Sequence, residues 1–291
     1  MREGRIRSQG SFQHSLTAGT FAATLLPLFF SLWSNGRARF AAVSGMASCT
    51  VMTICSNSST PLLAYVAGVA AMCLWPIRRN LRMVRVAVTM SLIALHLVMK
   101  APVWWLISRI DLTGSSSSFH RAALVDQFIQ HFGSWWLIGT NEAATWGYDL
   151  WDQQNEYVGV GETGGLLALI LFIVMIKRAC AWLGNARKKV DGQRKEALVW
   201  FMGASLFSTL VGFFGINYYD QVKVGWFLLL AIISVATSSI MQVNNSDGPQ
   251  DVGKSLESFP SVPASSGIDW TQVVLHGDEG LRIHQIGRAH V

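Results

Sequence analysis

Charge is scarce in this chain. Asp, Glu, Lys and Arg make up 14% of its 291 residues, against 51% apolar residues. The net charge of +6 is not the footprint of a nucleic-acid binder, because much of the basic charge lies in two short clusters beside apolar runs. Cysteine is scarce too. Cys49, Cys55, Cys73 and Cys180 show neither metal-ligand spacing nor a disulfide framework, and read as small apolar packing residues. The HExxH zinc pattern and the GxSxG nucleophile pattern are absent. No internal repeat or heptad is visible. The polar start "MREGRIRSQGSFQH" is followed by no cleavage pattern, so a secretory leader ahead of a soluble domain is not expected.

What the chain has is long apolar runs. Seven transmembrane spans are predicted, at 18–34, 40–55, 61–77, 86–106, 164–183, 197–216 and 224–243. The second and third are short, which leaves six as the other count. Pro27 should kink the first span. The predicted fold class is all-α: a polytopic transmembrane bundle of about seven spans, with one long external loop containing a short amphipathic helix. Four regions follow: a transmembrane block over 1–106, the external loop over 107–163, a second transmembrane block over 164–243, and a tail over 244–291. The tail is rich in Ser, Gly, Pro and Asp and is expected to be disordered. Its last residues, "IGRAHV", resemble a translated sequencing-adapter frame and are read as an artefact.

Orientation follows from the basic connections. "RRNLRMVR" (Arg78 to Arg85) and the run from Lys177 to Lys195 are the most basic, which places both in the cytoplasm. Segment 107–163 then faces outward, and so does the N-terminus. Arg2, Arg5 and Arg7 on that outward start break the rule. The chain is therefore expected to be an incomplete C-terminal portion of a longer protein.

The polar chemistry concentrates in the external segment. "FHRAALVDQFIQHF" carries apolar residues at helical spacing, with Ser117 or Ser118 as N-cap. Trp135, Trp136, Trp146, Tyr148 and Trp151 suit the headgroup level. Arg109, His120, Arg121, Asp152, Asn155, Glu156 and Glu162 all fall between the fourth and fifth spans. Arg109 and Arg121 suit either a bidentate grip on phosphate or contacts to anionic headgroups. Asp152 and Glu156 suit proton transfer, or are solvated or capping carboxylates. Asn155 and Glu162 could instead brace the loop over the next helix. Within the spans the polar exceptions are His96 and Lys100. They are the residues a transporter or channel would use, and His96 reads equally as an interhelical hydrogen-bonding residue.

Three segments carry a resemblance. "RIRSQGSFQHSLTAGT" offers Arg7, Gly10, Phe12 and His14, with Ser15 where a proline is expected. "SSFHRAALVDQFIQHFGSWWLIGT" offers Arg121 and Gly139. "WDQQNEYVGVGETGGLLALILF" offers Asn155, Tyr157, Glu162 and Gly164. In order and spacing they resemble the O-antigen ligase and polymerase proteins, with the family's first several spans missing. The resemblance implies a glycosyltransferase that needs no metal and no cofactor. It would move a glycan from a polyprenyl-pyrophosphate carrier to a lipid or glycan acceptor at the outer face of a bacterial inner membrane. The partners implied are that lipid-linked glycan and membrane lipids, not nucleic acid. The resemblance gives Arg121 a pyrophosphate role, with Arg7 as a second cation. Gln154 stands where the family has a histidine, so the base would be Asp152, Glu156 or His120. The same departure leaves open a non-catalytic part in envelope polysaccharide assembly.

Overall fold

A computed structural model describes residues 7–36, 38–100, 102–106, 117–147, 154–190 and 192–246. Among the described residues the architecture is all helix, with no strand. The helices are α1 (Ser15–Ser34), α2 (Arg39–Cys55), α3 (Ser59–Cys73), α4 (Leu81–Val98), α5 (Ser117–Gln130), α6 (Phe132–Trp135), α7 (Glu156–Lys189), α8 (Gln193–Gly212) and α9 (Asp220–Ser246). Short 3-10 turns lie at Trp75–Asn80, Val103–Trp105 and Ala143–Thr145.

All seven predicted apolar segments are helical. Four stretches are long and apolar enough to cross a membrane: Ser15–Ser34, Trp75–Val98, Glu156–Lys189 and Asp220–Gln242. Helices α2 and α3, at 17 and 15 residues, are shorter than the roughly 20 residues a bilayer needs. Helix α8 begins with Arg194, Lys195 and Glu196, which shortens its apolar stretch. The fourth segment ends earlier than its apolar pattern suggests. Helix α4 stops at Val98, Met99 is extended, and Pro102 follows. A proline lacks the N–H a helix needs and pushes its predecessor toward extended backbone. Lys100 therefore lies beyond the helix that carries His96 rather than one turn along it.

Helices α1, α3 and α8 form the centre. Their contacts use small and hydroxylated residues, as packing between helices in lipid requires. Ser205 Oγ donates to Thr24 O at 2.6 Å, and Ser208 Oγ donates to Ala64 O at 2.7 Å. Such interhelical bonds contribute roughly 0.6 kcal/mol each in a bilayer. Apolar packing surrounds them, with Phe213, Tyr218 and Trp226 in edge-to-face contact around the α8–α9 junction. Helix α4 differs from the rest, since none of its residues is buried.

The two ends of the bundle have different chemistry. At one end Arg78 is the hub. Its Nε donates to Glu196 Oε1 at 3.0 Å, its guanidinium lies 4.0 Å from the Trp75 ring centre, and its carbonyl accepts from Arg187 Nη2 at 2.9 Å. Trp200 Nε1 donates to Ala71 O nearby, closing the junction of α3, α7 and α8. The other end holds the starts of α1, α3, α7 and α9, together with α5 and α6. That end carries the candidate site.

Candidate functional site at the polar end of the bundle

The site is built around the start of α7. Asn155 is its N-cap: its side-chain oxygen accepts from Tyr157 N at 3.0 Å and Val158 N at 3.2 Å. Those bonds satisfy two of the N–H groups that every helix start leaves open. Asn155 is 1% exposed, so the bracing role expected for it is an interior one. Helix α7 thus starts eight residues before the apolar run, and most of "NEYVGVGETGG" is helical rather than loop.

Glu156 is buried beside the cap. Its backbone N–H donates to Phe213 O at 2.9 Å, and a carboxylate oxygen accepts from Tyr218 N at 2.5 Å. This carboxylate fastens the α8–α9 connection onto the start of α7. Tyr218 is buried as well, and burial together with the nearby Glu156 charge pushes its phenol above the ordinary range. It therefore stays protonated.

Helix α7 breaks where the polar run meets the apolar run. Gly165 has φ 71° and ψ −171°, which no continuous helix contains. The break separates a bond pair that an unbroken helix would make, Leu166 N–H to Glu162 O. Both groups find partners in segment 136–140: Leu166 N donates to Trp136 O at 2.8 Å, and Thr140 N donates to Glu162 O at 2.7 Å. Both members of the separated pair are thus satisfied, as irregular backbone near a membrane requires. The close approach depends on glycine from both sides. A Cβ on Gly165 would sit 2.7 Å from Leu137 O, and one on Gly139 (φ +86°) would collide with the Glu162 carbonyl. Of the neighbouring glycines Gly164 and Gly165, Gly165 alone makes the turn, with Gly139 as its counterpart.

Helices α5 and α6 cover this region. The amphipathic helix expected over "FHRAALVDQFIQHF" is present as α5, and Leu124 and Phe128 are its buried anchors. Phe128 stacks on Trp135 with ring centres 3.9 Å apart, and both lie against Gly161. Trp135 Nε1 donates to Phe128 O at 2.7 Å. His131 stacks on Trp146 at 4.9 Å.

Of the predicted site residues, Arg121, Asn155, Glu156 and Glu162 are buried, each at most 5% exposed. Arg121 Nη1 donates to Ser59 Oγ at 3.2 Å, at the start of α3. The backbone beside Arg7 reaches the same place, for Ser8 N donates to Cys55 O at the end of α2. Only Ser56, Asn57 and Ser58 separate those two attachment points. Arg7 is partly buried, and its Nε makes no hydrogen bond among the described residues. His120 and Gln154 are partly buried, and both have interaction partners. Arg109 and Asp152 lie outside the described residues. Two residues that sequence reading missed belong here. Ser59 is the partner of Arg121, and Thr60 Oγ1 donates to Gly215 O at 3.1 Å, holding α3 to the α8–α9 connection. A serine and a threonine opening an apolar helix were the only available signal.

Two spacings need placing. Gly159, Gly161 and Gly164 stand as G-x-G-x-x-G, but the run lies within α7, with no strand before it among the described residues. Gly161 makes room for Phe128, so it is a packing surface and not a dinucleotide turn. "GPQDVGKS" (Gly248 to Ser255) matches the P-loop spacing. It lies outside the described residues and closely follows the apolar helix α9, where a P-loop requires a strand. Among the described residues no cluster of His, Cys, Asp and Glu is arranged to hold a metal ion.

No known protein family, curated protein or solved structure matches the chain.

Proposed function

We propose that the chain is an integral membrane glycosyltransferase of the O-antigen ligase or polymerase kind, and that about seven spans lie within it. It would act on a polyprenyl-pyrophosphate-linked glycan at the outer face of the inner membrane. The observation that carries this reading is the buried guanidinium of Arg121 at the start of α3. A helix start carries partial positive charge, and the cap residue Ser58 makes no side-chain bond there. A guanidinium lying at that start suits the binding of an anion such as pyrophosphate. Arg7 approaches the same α2–α3 connection. The basic hub around Arg78 and Arg187 lies at the opposite end, so the positive-inside rule puts the Arg121 end outside.

In this reading Arg121 and Arg7 hold the pyrophosphate while α5 and α6 cover the site. Asn155 and Glu156 hold α7 and the α8–α9 connection in register. Glu162 places a carboxylate beside the helix break, and His120, next to Arg121 in sequence, is the candidate base left once Asn155 and Glu156 have structural roles and Asp152 lies outside the described residues. The test is genetic and biochemical. Deleting the complete gene removes or shortens a surface polysaccharide, and complementation by the Arg121→Lys form restores it weakly or not at all. An unchanged glycan profile in the deletion strain overturns the reading.

One observation favours a second reading. A broken helix with a buried carboxylate at the break is how many transporters build a solute site. A transporter would lose flux of its solute when Glu162 becomes Gln, with the surface glycan untouched.

A further inference from the structure

Helix α4 is tied to the bundle at its two ends. At the basic end the Arg78 carbonyl accepts from Arg187 of α7, and the Arg78 side chain is fixed by Glu196 of α8. At the other end Trp104 Nε1 donates to Asp126 of α5 at 3.1 Å, and the Trp105 and Phe119 rings lie 5.4 Å apart. Helix α5 is itself seated on α7 through Phe128 and Gly161. Between the two ties none of the residues of α4 is buried. Met83, Met90 and Leu97 are each at least 60% exposed. Packed helices set the side chains of one into the grooves of the other; α4 instead stands clear of its neighbours at bilayer depth.

The stripe of α7 that faces it is open as well. Arg85 of α4 lies near enough to Cys180 of α7 to act on it through its charge. Steps of three or four residues keep to one face of a helix, so the stripe runs from Arg187 through Gly184, Cys180 and Lys177 to Val174 and Ile170. Cys180, Lys177, Val174 and Ile170 are all exposed. A Cβ on Gly184 would have nothing within 4 Å. Arg78 is level with Arg187 and Arg85 with Cys180, so the two helices run antiparallel and Arg82 falls level with Gly184. Arg82 and Arg85 are exposed and three residues apart, on one face of α4. The gap between the helices thus has cations at the basic end and apolar side chains beyond them. Glu196, the acidic residue nearby, is already taken by Arg78.

We propose that the gap between α4 and α7 holds a phospholipid with an anionic headgroup. Its phosphate lies among Arg82, Arg85 and Lys177, and its acyl chains run along Val174 and Ile170. Charge selects this occupant, since basic pockets between spans on the cytoplasmic side suit anionic headgroups. The positive-inside rule puts this end in the cytoplasm. Length agrees: from Arg85 to Val98 α4 covers roughly 20 Å, enough for the ~15 Å of hydrocarbon in one leaflet. A second copy of this chain would bring the same cations to the gap, and like charges repel. The proposal does not depend on the glycosyltransferase reading; it rests on α4 and α7 crossing a bilayer.

The purified full chain in detergent tests it, by lipid retention in native mass spectrometry. The probes are dioleoyl phosphatidylglycerol, dioleoyl phosphatidylcholine, which has the same chains and no net charge, and inorganic phosphate. The wild type should retain phosphatidylglycerol in preference to phosphatidylcholine, and inorganic phosphate should not displace it. The double variant Arg82→Gln, Arg85→Gln alters two exposed side chains and should keep the thermal midpoint. It should bind phosphatidylglycerol about thirtyfold more weakly, roughly fivefold for each arginine. Equal retention of the two lipids by the wild type overturns the proposal. So does equal retention of phosphatidylglycerol by wild type and variant, displacement by phosphate, or a dimer of the chain that excludes the lipid. Cys180 locates the site without a change at either arginine. In a variant retaining Cys180 alone, phosphatidylglycerol should slow alkylation by a soluble maleimide about fivefold or more, and phosphatidylcholine should not. An alkylation rate unchanged by phosphatidylglycerol also overturns the proposal.

Discussion

Arg121 and Ser59, 62 positions apart in sequence, meet through a hydrogen bond of 3.2 Å that ties the surface helix α5 to the start of α3. The donor is a buried charge, so the bond is worth more than a neutral one. Ser59→Ala should lower stability by about 1.5–3 kcal/mol, the range for hydrogen bonds to charged groups. Thermal unfolding of the purified chain in detergent measures it. A change below a few tenths would mean that Arg121 is held by its other partners.

The α7 break makes a sharper demand. Gly165→Ala places a Cβ at φ 71° and 2.7 Å from a carbonyl oxygen. The cost should be about 1–3 kcal/mol from backbone strain alone. Gly139→Ala should cost as much, because it strikes the other half of the same exchange. The double variant should lose less than the sum of the two, since either change opens the junction. Additive losses would show that the two glycines act separately.

Asn155 caps α7 with two side-chain hydrogen bonds. Asn155→Ala should cost about 1 kcal/mol, and Asn155→Asp should recover most of it, because an Asp oxygen accepts the same two N–H groups. If Asp fails where Asn works, the amide N–H₂ has a partner of its own.

Glu156 separates structure from catalysis. Glu156→Ala strands the Tyr218 N–H in a buried place, a loss of about 1–3 kcal/mol. Glu156→Gln keeps an acceptor and should lose less. A proton-transfer role predicts the reverse pattern: Glu156→Gln folds with an unchanged midpoint yet abolishes glycan transfer in a complementing strain.

Orientation can be read with thiol reagents. Cys55 and Cys73 are exposed and lie at opposite ends of the α2–α3 pair. In intact cells, a membrane-impermeant maleimide should label a variant retaining Cys55 alone. A variant retaining Cys73 alone should react only after permeabilisation. The opposite result inverts the topology and removes the outward site.

Much of the architecture was legible because apolar runs and helices coincide in chains like this one. The seven apolar segments all proved helical, and α5 was visible from Leu124, Val125 and Phe128. Boundaries failed where polarity and helicity part. The start of α7 is polar and glycine-rich, so hydropathy assigned it to a loop, while Asn155 caps a helix there. Pro102 ended the fourth segment early although apolar residues continue past it. The site was half legible: Arg121, Asn155, Glu156 and Glu162 stood out as charged or polar groups beside an apolar run. Ser59, Thr60, Gly139 and Tyr218 did not, because their importance lies in partners far away in sequence, such as Gly215 for Thr60.

The exchange of backbone partners at the α7 break also bears on the order of assembly. Segment 136–140 leaves the ribosome before Glu162 and Leu166 do. Its carbonyl at Trp136 and its N–H at Thr140 are therefore made first, and stand ready as α7 emerges. Until the two meet, the top of α7 has an open donor and an open acceptor and is free to continue as a straight helix. The surface segment thus supplies both partners that the bend in α7 requires. Damage to Trp136–Thr140 should accordingly be felt during biogenesis, as a misplaced helix start, before it is felt in any finished site.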